Sequence, residues 1–210
     1  METQSVSADS KPSRRLCAYH EAGHAVAAHV LGLTIEQVDI LADNNYGGKF
    51  SVVMPLGIDS PNVWRYHPLR EFVEKYDVMI MAGYSASLIA EEEDPDKLRN
   101  TAQSDVAILE QDAEDAFPDI FCDPWVKEMY ENFPEEKLGV ELVETIDQLD
   151  KRKIDLSKAY YAWIRLRAEV LVLYPPHREA IKILAEVLLT KETLSGAQTH
   201  EIILQALKTV

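Results

Sequence analysis

The residues His20-Glu21-Ala22-Gly23-His24 match the pattern H-E-x-x-H. Residues four apart lie above one another on one face of an α-helix, so His20 and His24 can offer imidazole nitrogens to a single ion. Glu21 would point toward the open side of that ion, where it can take a proton from a water molecule. The stretch therefore predicts a helix that carries a hydrolytic metal site.

The residues around this stretch favour a complete amphipathic helix. Ser13 can begin it and Gly32 can end it. Apolar or small residues recur at three- and four-residue steps, which is the pattern of a buried helix face: Leu16, Tyr19, Gly23, Val26 and Val30. The two histidines follow the edge of this face. A buried pair of hydrogen-bonded histidines without a metal is the alternative interpretation.

Further motifs resemble the peptidase domain of the FtsH-type membrane-bound ATP-dependent zinc proteases. In chain order they are HEAGHA at 20–25, a strand pair with a glycine turn at 38–41 and 47–55, a small-residue helix at 81–86, TAQSD at 101–105 and a signature ending in KETL at 184–194. The resemblance implies a zincin-like helical peptidase domain of mainly α (α+β) class. It also implies a small β-hairpin beside the HEAGH helix.

The resemblance assigns a role to each residue of the site. Asp105 is the expected third ligand for Zn²⁺ beside the two histidines, and Glu21 is the expected catalytic residue. Without the resemblance, Asp105 ranks no higher than Asp112 or Glu91, because an aspartate near a helix start usually caps the helix or lies on the surface. Cys17 is a minor alternative ligand, since the usual paired-cysteine spacing is absent.

The chain also departs from that family. Ser87 occupies the position where the family usually has a glutamate, which leaves the surroundings of the site unassigned. The sequence has no G-x-x-x-x-G-K-[ST] loop and no run of about 18 apolar residues. We therefore expect neither an ATPase motor nor a membrane span.

Length and composition agree with a compact soluble enzyme. The 210 residues are 47% hydrophobic, enough for one core. We expect a flexible tail at 1–12 and a single domain at 13–210, with a metal-site half at 13–121 and a helical half at 122–210. Two cysteines are too few for a disulfide framework, which favours the cytoplasm. The net charge of -15 argues against nucleic-acid binding, which needs a basic surface.

Residue patterns place the secondary structure. Strands at 35–41 and 49–54 flank the turn Gly47-Gly48. An exposed edge strand could bind an extended substrate through its backbone, or simply cover the core. Helices are expected from Pro68, from Thr101, and at 124–132, 135–151, 157–173, 176–189 and 196–208.

The spacing of an apolar set of residues and that of the remaining histidines lead to two further expectations. One set shares helical spacing and predicts a buried stripe: Tyr160, Trp163, Leu166, Val170 and Leu173. The remaining histidines have no ligand-like spacing to one another, so they receive no role: His29, His67, His177 and His200.

These observations predict a zinc-dependent metalloendopeptidase that hydrolyses peptides or unfolded protein segments independently of ATP. The resemblance adds two expected partners, further copies of this chain and a separate ATPase. Two other readings stay open: a non-catalytic peptidase-like scaffold that retains the metal site, and a zinc hydrolase of non-peptide amides.

Overall fold

The computed structural model describes residues 12–40, 48–56, 67–90, 105–109 and 158–209. The chain divides into two compact units, one of Met1–Leu109 with Ile164–Val210 and the other of Glu110–Trp163. All elements described below belong to the first unit, apart from residues 158–163 of one helix. The expected single domain at 13–210 stays a prediction.

The described residues are mainly helical with one small antiparallel sheet, as the predicted mainly α (α+β) class requires. In chain order the elements are α1 (Arg14–Leu31), β1 (Ile35–Asp39), β2 (Lys49–Val52), α2 (His67–Ser87), α3 (residues 158–173), α4 (Pro175–Lys191), β3 (Thr193–Ser195) and α5 (Gly196–Lys208). A 3-10 turn at Leu88–Ala90 follows α2, and residues 105–109 are helical. The predicted helices at 124–132 and 135–151 lie outside the described residues.

Helix α1 is the central element of the first unit and packs against both α2 and α4. The Ser13 side chain accepts a hydrogen bond from the Leu16 backbone at 3.1 Å, and Gly32 ends the helix with a φ of 74°. Both predicted helix ends are confirmed. A Cβ on Gly23 would overlap the Cβ of Ala86, so the glycine at this position lets α1 approach α2 closely.

The sheet has the strand order β2-β1-β3, with both pairs antiparallel. The predicted pairing of β1 with β2 is confirmed, although both strands are shorter than expected. Strand β3 was not predicted, because three residues between two helices carry too little pattern to signal a strand. It exists through its pairing with β1, in which Val38 lies opposite Leu194.

The helices at the C-terminus agree with the predicted signals. Helix α4 has proline in its first turn, and α5 begins with a capping box formed by Ser195 and Gln198. No helix in the described ranges is long and apolar enough to cross a membrane.

The predicted buried stripe of α3 is wrong. Trp163, Leu166, Val170 and Leu173 are exposed, and the core-facing residues are instead Ile164, Ala168 and Val172. Helix α3 is apolar on two faces, so its periodicity could not decide which of them is buried.

Candidate metal centre

Three predicted ligands meet in one buried cluster. His20 and His24 are one turn apart on α1, and Asp105 comes from the helical residues 105–109. The Nε2 atoms of the two histidines are 3.0 Å apart, and Asp105 Oδ2 lies 2.9 Å from His20 Nε2 and 3.3 Å from His24 Nε2. All three side chains are buried. Side chains far apart in the chain therefore present three donor atoms to one point.

Hydrogen bonds on the far side of each ring fix which nitrogen faces this point. His24 Nδ1 lies 2.9 Å from the Met79 carbonyl oxygen, which can only accept, so Nδ1 carries the hydrogen. The Ser87 hydroxyl donates to the Gly83 carbonyl at 3.0 Å, which leaves its oxygen to accept from His20 Nδ1 at 3.1 Å. In the neutral form both rings consequently turn the lone pair of Nε2 toward Asp105.

With both rings neutral, three lone-pair atoms face one another at these separations, so a positive charge, from a proton or a metal ion, must lie between them. Asp105 Oδ2 makes no hydrogen bond within the described ranges beyond its contacts with the imidazoles. Tetrahedral ligands at zinc bond lengths of about 2.0–2.1 Å would be about 3.3 Å apart, close to the observed spacing. The donor set thus fits a divalent metal ion.

The electrostatics of the cluster agree with a central cation. Burial lowers the pKa of His24, but the Asp105 carboxylate outweighs this and raises it to about 9. Burial raises the pKa of Asp105, but His24 and His20 outweigh that effect and lower it. The Asp105 carboxylate therefore favours a positive charge beside it, which either a proton on His24 or a bound cation can supply.

Glu21 lies beside the three ligands without joining them. Its side chain is buried, and its Oε2 atom has no hydrogen-bond partner in the described part of the chain. Burial is the main cause that raises its pKa, opposed by His20 and His24. A carboxylate with a raised pKa and a vacant lone pair is suited to accept a proton from a reacting group.

Two glycines bring backbone close to side chains of the cluster. A Cβ on Gly48, just before β2, would overlap the Glu21 carboxylate, and a Cβ on Gly83 of α2 would overlap the His24 ring. The Phe50 ring of β2 lies 5.6 Å from the His24 ring between centroids. The site is therefore enclosed by α2 on one side and by β2 on another.

Cys17 is not part of the cluster. The set of described His, Cys, Asp and Glu side chains whose ligand atoms come together consists of His20, His24 and Asp105. Cys17 is buried, and burial, followed by the charge of Glu21, raises its pKa to about 12. It therefore stays a protonated thiol at neutral pH.

Sequence reasoning missed the residues that support the ligands. In the sequence Ser87 is only a departure from the family pattern, yet its hydroxyl forms a hydrogen bond with His20. The Met79 carbonyl gives no sequence signal, because every residue carries the same backbone group. Gly83 and Ser87 are small residues one helical turn apart on α2, and this spacing is the signal that could have indicated a face packed closely against another helix.

A buried His, His, carboxylate group beside a glutamate is the arrangement of a metal-dependent hydrolase. No family model matches the chain. Over 200 residues, 92% of its length, the chain is 30% identical to the "ATP-dependent zinc metalloprotease FtsH" of Pelobacter propionicus, and it spans 30% of that protein's length. This similarity agrees with the expected relationship to an FtsH-type peptidase domain.

Proposed function

We propose that this protein is a zinc-dependent metalloendopeptidase that hydrolyses peptides or unfolded protein segments without ATP. The observation that carries the proposal is the convergence of His20, His24 and Asp105 beside the buried Glu21. The similarity to a protein named as a zinc metalloprotease supports it. The absence of a nucleotide-binding loop from these 210 residues is the reason to propose ATP independence.

In this proposal the two Nε2 atoms and Asp105 Oδ2 hold the zinc ion. The bound ion would supply Lewis acidity, polarising the substrate carbonyl and lowering the pKa of water. Ser87 and the Met79 carbonyl keep both imidazole rings in the ligating tautomer. The Ser87 hydroxyl accepts the hydrogen bond from His20 at a position where the family usually has a glutamate.

Glu21 performs the proton transfers. Its carboxylate removes a proton from the attacking water as the carbonyl carbon is attacked, and then delivers that proton to the leaving amide nitrogen. Burial raises the pKa of Glu21, which brings it nearer to the neutral range where both transfers are easy. Gly48 leaves no side chain between the start of β2 and this carboxylate.

Strand β2 provides a candidate surface for the substrate backbone. It is at one edge of the described sheet, and its Phe50 ring lies near His24. An extended peptide that paired with this edge would pass next to the metal and be recognised mainly through its main chain. Such recognition suits unfolded segments of varied sequence.

The test is cleavage of casein by the wild type and by Glu21→Gln, with bound zinc measured in both. We expect Glu21→Gln to lower the rate by about a hundred- to ten-thousandfold, the usual contribution of a general base, while zinc is retained. Glu186→Gln, which changes an exposed carboxylate on α4, is the matched control and should leave the rate unchanged. Added ATP should not change the wild-type rate.

Other outcomes would favour the alternatives. Zinc bound in both proteins without cleavage of any peptide would favour a peptidase-like scaffold, and cleavage of small amides alone would favour a non-peptide amide hydrolase. Stimulation by ATP would contradict the proposed independence. Self-association, a separate ATPase partner and a cytoplasmic location are proposals that rest on the sequence.

A further inference from the structure

Three of the histidines without an assigned role come from three different helices of the first unit. His29 lies in the last turn of α1, His177 near the start of α4, and His200 in α5. The Nδ1 atoms of His29 and His200 are 3.1 Å apart, and their ring centroids are 4.7 Å apart. Sequence spacing gave no sign of this pair, because the contact is made by the packing of α1 with α5.

The geometry of this surface pair resembles that of the buried pair. Two ring nitrogens face each other at 3.1 Å, compared with 3.0 Å between His20 and His24. Both values are near the separation of about 3.3 Å between two ligands on one tetrahedral ion. Imidazole nitrogens are suitable ligands for zinc, copper and nickel.

When both rings are neutral, His29 and His200 can bind a metal ion. His29 is half-buried and His200 is exposed, so an ion can enter from solvent. Burial, together with the nearby His200 and His177, lowers the pKa of His29, which favours the neutral ring that binds metals. His177 is itself held by a contact of 2.9 Å between its Nδ1 and the Leu171 carbonyl.

We propose that His29 and His200 form a second, solvent-accessible site for a divalent transition-metal ion such as Zn²⁺, Ni²⁺ or Cu²⁺. The ion takes the place of the hydrogen that the two Nδ1 atoms share, and each ring then carries its hydrogen on Nε2. Water completes the coordination, since no third described ligand atom joins this pair. Binding is therefore weaker and more readily reversed than at the buried cluster.

A bound ion would connect the end of α1 to α5. Helix α1 carries both buried histidines, so occupation of the surface site stiffens the element that holds the proposed catalytic metal. A ligand that binds only the folded protein also raises its melting temperature in a concentration-dependent way. The surface site thereby makes stability depend on the free concentration of transition-metal ions.

Titration of the full chain with Ni²⁺ by calorimetry tests this proposal. The chain is first loaded with zinc and dialysed, so that only exchangeable sites remain open. We expect one additional equivalent of Ni²⁺ and a rise in melting temperature with Ni²⁺ concentration. His29→Ala and His200→Ala should each abolish both effects, whereas Glu201→Gln, a neighbouring exposed carboxylate on α5, should keep them.

Two further variants separate the possible failures. His200→Cys keeps a ligand atom at this position, so unlike His200→Ala it should still bind metal, with a changed metal preference. His20→Ala removes a buried ligand and should keep the surface equivalent, so this proposal can hold even if the proposed peptidase activity fails. Binding that survives both His29→Ala and His200→Ala, or no additional binding in the wild type, would show that the pair is a hydrogen-bonded contact only.

Discussion

The buried pair His20 and His24 and the surface pair His29 and His200 have almost the same nitrogen separation, 3.0 and 3.1 Å. The buried pair has the Asp105 carboxylate beside it and hydrogen bonds that fix both rings, whereas the structure gives the surface pair neither of these among its described contacts. Ligand spacing alone therefore does not make a catalytic site. A third ligand, fixed tautomers and exclusion of water distinguish the buried pair.

Among the changes considered, Asp105→Asn should most reduce the difference in metal binding between the buried and the surface pair. It would leave the buried pair as two imidazoles without a carboxylate, like the surface pair. Loss of the hydrogen-bond partner of a ligand lowers metal affinity by roughly 10- to 100-fold. Loss of the ligand itself should lower zinc affinity by more than this, and casein cleavage should be lost. Competition with a chelator of known affinity measures the change. Zinc affinity equal to that of the wild type would remove Asp105 from the ligand set.

Gly83→Ala should disrupt the buried pair by displacing a ring. The new Cβ would overlap His24 and push α2 away from α1, so we expect a loss of about 1 to 3 kcal/mol in the free energy of unfolding together with weaker zinc binding. Gly32→Ala is the matched control. Its cost, about 1 kcal/mol, comes from the φ of 74° alone, and it should leave zinc affinity unchanged. Equal zinc affinity in both variants would contradict the close approach of α2 to His24.

Ser87→Ala should make the buried pair more like the surface pair by releasing one ring. Without the hydroxyl, His20 Nδ1 has lost its partner, and zinc affinity should fall by about 10- to 100-fold. Ser87→Thr keeps a hydroxyl and should restore the affinity even where the added methyl group lowers the melting temperature. Affinities that follow melting temperature rather than the presence of the hydroxyl would limit Ser87 to a packing role.

Cys17 provides a smaller test of how well the buried face of α1 excludes solvent. Its pKa of about 12, compared with an ordinary value of 9.0, means about a thousandfold less thiolate below pH 9. In a Cys122→Ser variant, alkylation by iodoacetamide at pH 8 should therefore be at least that much slower than in urea. The native rate should rise about tenfold per pH unit up to pH 11. A native rate similar to the rate in urea would show that this face is open.

The sequence predicted those parts of the fold that local chemistry determines. The ends of α1 follow from Ser13 and Gly32, and the HEAGH spacing places both histidines on one face. Asp105 needed the resemblance, because nothing local distinguishes it from other acids near helix starts. Strand β3 could not be predicted because it depends on pairing with β1.

Features that depend on packing between distant segments escaped the sequence. The residue spacing predicted that the exposed face of α3 is buried. Two apolar faces run along that helix, and the spacing does not show which of them is in the core. Ser87 and His20 are in contact although they lie 67 positions apart in the chain, and His29 and His200 are in contact although they lie 171 positions apart. Spacing rules cover one helix or one hairpin, so they cannot find such contacts.

Zinc K-edge X-ray absorption on the dialysed protein with one zinc equivalent tests directly whether His20, His24 and Asp105 bind the ion. His20, His24 and Asp105 predict only nitrogen and oxygen neighbours, at about 2.0–2.2 Å, with the outer-sphere scattering of two imidazoles. Asp105→Asn should alter this spectrum, and His200→Ala should not. A sulfur neighbour at about 2.3 Å, which would place Cys17 on the metal, or a spectrum without imidazole scattering, would contradict the proposed site.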